Sequence, residues 1–513
     1  MGGNPGAGAN SAAGLLAALG TCPASGTLST ALFVSVNEVS TIATAYAIAS
    51  YSVDATHVSS PGSILALAGI ANAFASAANL ESLASGIALV TTPGGNGTVP
   101  ESEIDTLANI LAACINSTGP SSTACTTLVA NAMQGATAPT DTATAAINIA
   151  HNPGANIANL YGLQTGTPPF QPMLTSQPND FTVAVTYTGG GLNGIQGIAI
   201  DASGNVWTAN AGNSSLSEFS PGGAGISSPA GFIGGGLANP VSIAIDGSGN
   251  AWASNQGNNS LSEFSSAGIA VSTIAGYTGD GLTAPQGIAI DAQGFVWVAN
   301  PSANSISKFT SAGVANGGSS PYMGGGLNGS GVLAIDSTSD VWTNNAGASS
   351  LSEFNSSGTA ISSASGYTGG NLNAPMSVAI DGAGDIWAVN QSTNVISEFD
   401  GSGNQISAPG FTGGGLNAPL GLAIDGNGTL WLANTTGNSI SEFAATGAAV
   451  TGASGFLGGL TGPAALAVDG SGNLWVSNTN NSITEFIGIA TPLVTPVVAN
   501  LMSPYGLQTV NEP

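Results

Sequence analysis

Basic side chains are nearly missing from this chain of 513 residues: Lys308 is the single Lys or Arg, against 26 Asp and Glu, and the formal net charge is −25. Lys and Arg neutralise phosphate and hold anionic lipid surfaces, so nucleic acid and charged membrane surfaces are excluded as partners. Histidine is almost as scarce. His57 and His151 both lie in the first third of the chain, which leaves the remainder without an imidazole for acid–base work. Cysteine is limited to Cys22, Cys114 and Cys125, with no C-x-x-C pair of the kind that builds zinc sites. The most apolar stretch, 64–90, is rich in Ala, Ser and Asn and contains Glu81, so core helices are expected there and no membrane span. Met1-Gly2-Gly3 opens without a basic or an apolar run, leaving no signal peptide visible, and Gly6 stands where a myristoylation motif needs Ser or Thr. Scarce charge with low hydrophobicity would mean disorder. Here 42% of residues are hydrophobic and 76 glycines recur at regular places, which predicts a folded, turn-rich chain. Together with abundant Ser, Thr and Asn, this composition points to an extracellular or cell-surface setting.

What is present is a repeat. Trp207, Trp252, Trp297, Trp342, Trp387, Trp431 and Trp475, all the tryptophans of the chain, are spaced by 45, 45, 45, 45, 44 and 44 residues. Each has an Asp six positions earlier (Asp201, Asp246, Asp291, Asp336, Asp381, Asp425, Asp469) and an Asn three positions later (Asn210, Asn255, Asn300, Asn345, Asn390, Asn434, Asn478). In the first copy, Gly197 to Asp201, Asn205 to Asn210, Leu216 to Phe219 and Ala230 to Phe232 are four short apolar segments bounded by turn residues, which predicts four strands per unit. Four strands in about 45 residues is the size of one propeller blade, and the 3.6-residue period of a helical solenoid is missing. The segment 181–187 matches a fourth strand but precedes the first complete unit, while the last unit stops after its third strand at Phe486. It is therefore expected to complete the blade formed by 464–487 and to close the ring.

The pattern Gly-Ile-Ala-Ile-Asp, x-x-Gly-Asn, x-Trp-x-x-Asn and Ile/Leu-Ser-Glu-Phe over 181–487 resembles NHL-repeat propellers, especially the streptogramin B lyase-like branch, which implies seven blades. Lyases of that branch use propeller-loop histidines and a glutamate with a magnesium ion, and the related amidating lyases use histidine-bound zinc. With both histidines outside the repeat, no catalytic residue carries over. The preceding region looks like a helical domain that accompanies such propellers in predicted secreted bacterial proteins.

Residues 1–165 read as an Ala-rich α-helical domain. Thr98 and Glu101 are expected as a capping box for a helix carrying Ile104, Leu107, Leu111 and Cys114 on one face, and Leu32, Val36, Val39, Ala43 and Tyr46 share another. Further helices are expected near 11–20, 63–91, 121–134, 140–151 and 154–163. Residues 166–179 read as a Pro-rich linker, 180–487 as the propeller, and 488–513 as a Pro-containing tail with a β-prone run at 493–501. Cys114 and Cys125 flank a turn-rich stretch between two helical patterns, a spacing that suits a disulfide; buried free thiols are the alternative, and Cys22 is left over.

Three sets of residues could carry chemistry. Asp246, Ser248, Asn250 and Asp469, Ser471, Asn473 alternate oxygen side chains as a calcium loop begins, but no bidentate Glu follows, and an Asp that hydrogen-bonds its own turn accounts for them fully. Calcium at these turns is the one candidate cofactor. Glu218, Glu263, Lys308, Glu353, Glu398, Glu442 and Glu485 form a column on the third strands that reads as a charged ring for a cation or polar ligand, or as solvated or hydrogen-bonded strand positions. The tryptophans suit sugar stacking or inter-sheet packing, and their repetition at one place in each unit favours packing. The function expected from this is a non-catalytic extracellular or cell-surface structural protein, a rigid platform that self-assembles, even into filaments. Its partners would be copies of itself or other cell-surface proteins and glycans. A lyase-like carbon–oxygen lyase and a glycan- or peptide-binding propeller are the alternatives.

Overall fold

Each repeat folds at its turns, and a computed structural model describes residues 9–20, 33–164, 166–316 and 320–497. The Asp-x-x-Gly turn reverses the chain between the first two strands, with Gly204 at φ 86°, a value that L side chains rarely adopt. In the first repeat Ile195–Ile200 pairs antiparallel with Val206–Asn210, which pairs with Ser215–Phe219. The same trio recurs within 240–264, 288–309, 330–354, 377–399, 419–443 and 463–486. The first strand of each sheet lies against the first strand of the next, and that of the seventh against that of the first. The sheets thus stand around one axis as a propeller.

Each Trp lies between neighbouring sheets. Trp207 packs on Ile243, Ile245 and Phe264 of the following repeat, and Trp297 on Leu333, Ile335 and Phe354. All seven are fully buried. At 150–250 Å² apiece, burial contributes roughly 4–6 kcal/mol per indole.

The fourth segment is not a full strand in the first six repeats. It touches the third strand only at isolated bridges such as Leu216↔Phe232 and Phe219↔Gly225. A side chain explains the interruption: Ser227 Oγ accepts the Glu218 amide at 2.9 Å, taking the place of a ladder carbonyl, and a turn from Ser228 to Gly231 follows. Among the described residues only the seventh sheet has a full fourth strand. There Ala184–Tyr187 pairs with Ser482–Phe486, and Gly97–Thr98 adds a further strand outside it.

Among the described residues six α-helices precede the repeat: α1 (Glu38–Ala47), α2 (Ile64–Leu80), α3 (Glu101–Ile115), α4 (Thr123–Asn131), α5 (Thr142–His151) and α6 (Ile157–Tyr161). No helix of the described residues is long and apolar enough to cross a membrane. Three local expectations are corrected. Residues 11–20 are not helical, because their backbone bonds to other elements: Gly14 and Leu16 donate to the Thr142 and Thr41 hydroxyls, and Ala12 accepts from the Thr142 amide. The capping box is not formed; Thr98 pairs with Thr186 and the cap of α3 is Pro100, without a side-chain bond. The helix expected over 63–91 ends at Leu80, where Glu81–Ser82 and Ile87–Ala88 form a small hairpin. At α1, Asn37 and Ser40 supply a reciprocal cap that starts the helix at Glu38, so Val36, expected on its face, precedes the helix and is half exposed; Leu32 lies outside the described residues.

Cys114 and Cys125 are disulfide-bonded across 11 residues, tying α3 to α4, and Cys22 lies outside the described residues. The Pro-rich stretch is held to α3: the Asn109 side chain bonds both backbone groups of Phe170, and the Thr106 hydroxyl accepts the Leu174 amide. Helical residues and the closing seam share one core, in which Tyr46, Leu107 and Ile147 join Phe181, Tyr187 and Trp475.

Candidate functional site

The turn Asp, the Trp and the third-strand Glu or Lys of each repeat meet at the end of the sheet that carries the Asp turns, and the repeated Asn lies at the opposite end. Asp Oδ1 accepts the amides two and four residues on, as in Ser203 and Asn205 to Asp201 at 2.8 and 2.9 Å. Oδ2 accepts the indole N–H of the same repeat at 2.9–3.3 Å in six of the seven copies. At the two calcium-like turns the residues between and after the glycines supply donors. The Ser248 and Asn250 amides and Asn250 Nδ2 all bond Asp246, and Ser471 and Asn473 do the same to Asp469. The repeated Asn after each Trp is buried and joins strands: Asn210 Nδ2 donates to Ser217 Oγ at 2.8 Å while Oδ1 accepts the Asn193 amide, and Asn255, Asn345, Asn434 and Asn478 repeat this pattern. Asn300 and Asn390 likewise donate to Ser307 and Ser397.

Two further columns decide how the third-strand carboxylates are held. In six of the seven repeats the aromatic residue of the fourth segment lies against the Trp of its own repeat, with ring centroids 5.2–5.6 Å apart. Where it is a tyrosine that meets a Glu, it donates to that Glu: Tyr277 to Glu263 at 2.7 Å, Tyr367 to Glu353 at 2.5 Å and Tyr187 to Glu485 at 2.8 Å. Where it is phenylalanine the Glu lacks that donor, and burial, with a nearby Asp adding, pushes Glu218, Glu398 and Glu442 up to about 7. In the third repeat Lys308 replaces Glu. Its ammonium lies over Phe295 and Trp297 at 4.0 and 4.3 Å from the ring centroids, 3.9 Å from Asp291, and donates to the Ser356 carbonyl. Burial pulls its pKa down and Asp291 opposes this.

The second column is the fifth residue of each turn: Asn205, Asn250, Phe295, Asp340, Asp385, Thr429 and Asn473. In three repeats an Asn amide bridges the Asp to the Glu. Asn205 Nδ2 lies 2.9 Å from Asp201 Oδ2 and 3.1 Å from Glu218 Oε1, and Asn250 and Asn473 repeat the bridge. In the fourth repeat Asp340 replaces the bridge, and one oxygen each from Asp336, Asp340 and Glu353 lies within 4.8 Å of the others.

Part of this face is covered by the chain itself. Tyr51 bonds the Gly470 carbonyl and Asn72 the Ser203 carbonyl, so the helical region lies over the turns of the seventh and first repeats. Beyond Phe486 the chain crosses the turns: Thr491 N–H reaches Asp425 Oδ2, Leu493 N–H the Asp469 carbonyl, and Thr495 Oγ1 the Asp201 carbonyl. Leu493, Thr495, Pro496 and Val497 thereby join the wall of an axial cavity of about 310 Å³, otherwise lined by apolar first-strand residues of all seven sheets.

No family model matches the chain, and no curated protein matches it. Among solved structures it is similar to virginiamycin B lyase from Staphylococcus aureus, with 17% identity and a TM-score of 0.48 over 59% of this chain and 98% of that one. A streptogramin B lyase gives the same identity and score over 59% and 97%. The extracellular domain of a putative hybrid two component system from B. thetaiotaomicron is 13% identical, with a TM-score of 0.44 over 60% of this chain and 43% of that one.

The sequence reading singled out the Asp, Trp and Asn columns, and the third-strand Glu column that the Trp column faces. It missed Asp340 and the tyrosine partners. Reading the fifth turn residue down the repeats would have found Asp340, since it is Asn in three copies and Asp in two.

Proposed function

We propose that this chain is a non-catalytic, extracellular or cell-surface structural platform: a seven-bladed ring at 180–487 closed by its N-terminal strand, with a helical domain at 1–165, a connection at 166–179 and a tail from 488. Its working surface is the outer edge, through which copies of the chain associate. The observation that carries this reading is a ring of aliphatic side chains at one equivalent place in the repeats. Ile226, Val271, Ile361, Ile406 and Val450 each donate their amide to the carbonyl of the third-strand Glu and leave the side chain 48–56% exposed. Asn316 is the polar exception, in the repeat that carries Lys308. Repeated exposed aliphatics on an edge with broken strand pairing, in a chain with 5% charged residues, support association between copies. The apolar axis, occupied at one mouth by Leu493–Val497, supports a structural role for the channel.

Light scattering across a wide concentration range tests this. Mass should rise with concentration, and Ile226, Val271 and Ile361 changed together to Asp should restore the monomer. A monomer at every concentration would remove the proposal.

A further inference from the structure

We infer that Asp336, Asp340 and Glu353 form a binding site for one divalent, oxygen-preferring cation of the calcium class. The inference starts from a comparison the chain makes with itself. In the first, second and seventh repeats an Asn amide stands between the turn Asp and the third-strand Glu and donates to both. In the fourth repeat the same position is Asp340, so a doubly donating group is replaced by a third carboxylate. Three oxygens now face one another within 4.8 Å, a spread that ligands about 2.4 Å from a shared calcium ion span.

A second, independent observation comes from Trp342. It pairs in the same register as its sisters, opposite Ala334 and Glu353, and stacks on Tyr367 like them. Its indole N–H, in every other repeat donated to the turn Asp, has no hydrogen-bond partner among the described residues although Trp342 is fully buried. Buried donors are left unmade when their acceptor is held elsewhere. Asp336 Oδ1 takes the Thr338 hydroxyl and the Thr338 and Asp340 amides, as a turn Asp should. Neither Asp336 oxygen accepts the indole, and the Asp336 carboxylate instead faces Asp340 and Glu353, the arrangement a bound cation would impose. The fifth repeat supplies the contrast. Asp381, Asp385 and Glu398 repeat the residue types, but Trp387 keeps its 2.9 Å bond to Asp381, and the three oxygens do not gather.

All three ligands are hard carboxylate oxygens. Asp336 and Asp340 are half-buried and would leave coordination positions to water, which suits calcium and not zinc. Calcium chloride is titrated into the full-length, chelator-treated protein while the melting temperature is followed, and Tb³⁺ luminescence on tryptophan excitation reports the site directly because Trp342 adjoins it. Saturable binding is expected with a dissociation constant of about 0.1–1 mM, the range of extracellular calcium modules. Asp340→Asn recreates the Asn bridge of the sister repeats, so it should fold and bind about 10–100-fold more weakly or not at all. Glu353→Gln should behave likewise, whereas Asp385→Asn should bind as the wild type does. A wild type without a saturable response, an Asp340→Asn variant that retains it, or an Asp385→Asn variant that loses it equally would each overturn the inference.

Discussion

Glu442 offers a direct test of how the third-strand carboxylates are held. It faces Trp431 across the sheet, and the aromatic residue of its fourth segment is Phe456, so no phenol donates to it. Burial, with Asp425 adding, pushes its carboxyl from 4.5 to about 7. An acid whose pKa is raised on folding binds protons more tightly in the folded state, so the folded chain carries more protons than the unfolded one between pH 4.5 and about 7. Stability from this group is therefore full below pH 4.5 and falls as pH rises to about 7. At about 1.4 kcal/mol for each tenfold change in proton affinity the rise corresponds to roughly 3 kcal/mol, and solvent screening of this half-buried group leaves about 1–2 kcal/mol. Glu442→Gln abolishes the ionisation while keeping the shape. Urea unfolding followed by tryptophan fluorescence should show the variant more stable than the wild type by about 1–2 kcal/mol at pH 8 and equal to it at pH 4. A difference of the same size at both pH values would refute the reasoning, because lost packing would then explain it.

Reduction of Cys114–Cys125, or its replacement by two serines, should destabilise the α3–α4 hairpin by about 2–3 kcal/mol, as expected for so short a loop, and calorimetry with and without reductant measures this. Indistinguishable melts would contradict it. Deleting 491–513 removes Leu493 and Thr495 from the axial mouth; we expect a loss of about 2–4 kcal/mol and a rise in the fluorescence of an apolar dye, and an unchanged dye signal would show that the mouth is closed by something else.

The ring was largely legible before any coordinates, because one Trp and one Asp per 44–45 residues mark a register that each sheet must repeat. The segment at 181–187 could be assigned to the last repeat simply because strands were left over. Features decided by tertiary partners were not legible. Residues 11–20 have a helical composition, yet the Thr41 and Thr142 hydroxyls capture their amides. Thr98 has the spacing of a cap, yet the open edge of Ala184–Tyr187 recruits it. The fourth segments read as strands by their apolar ends, while the serine between them diverts the ladder. The candidate cation site was visible only as a departure: Asp340 is unremarkable alone and informative beside Asn205, Asn250 and Asn473.

The seam between Ala184–Tyr187 and Ser482–Phe486 also sets an order of events during synthesis. Tyr187 leaves the ribosome 298 residues ahead of Glu485, an interval of about 15–60 s at ordinary elongation rates. Throughout that wait the newborn segment would be a naked edge among neighbouring nascent chains. Gly97–Thr98 has already emerged and can hold one side of it, so the first part of the polypeptide serves as a cradle for the strand that the last part will claim.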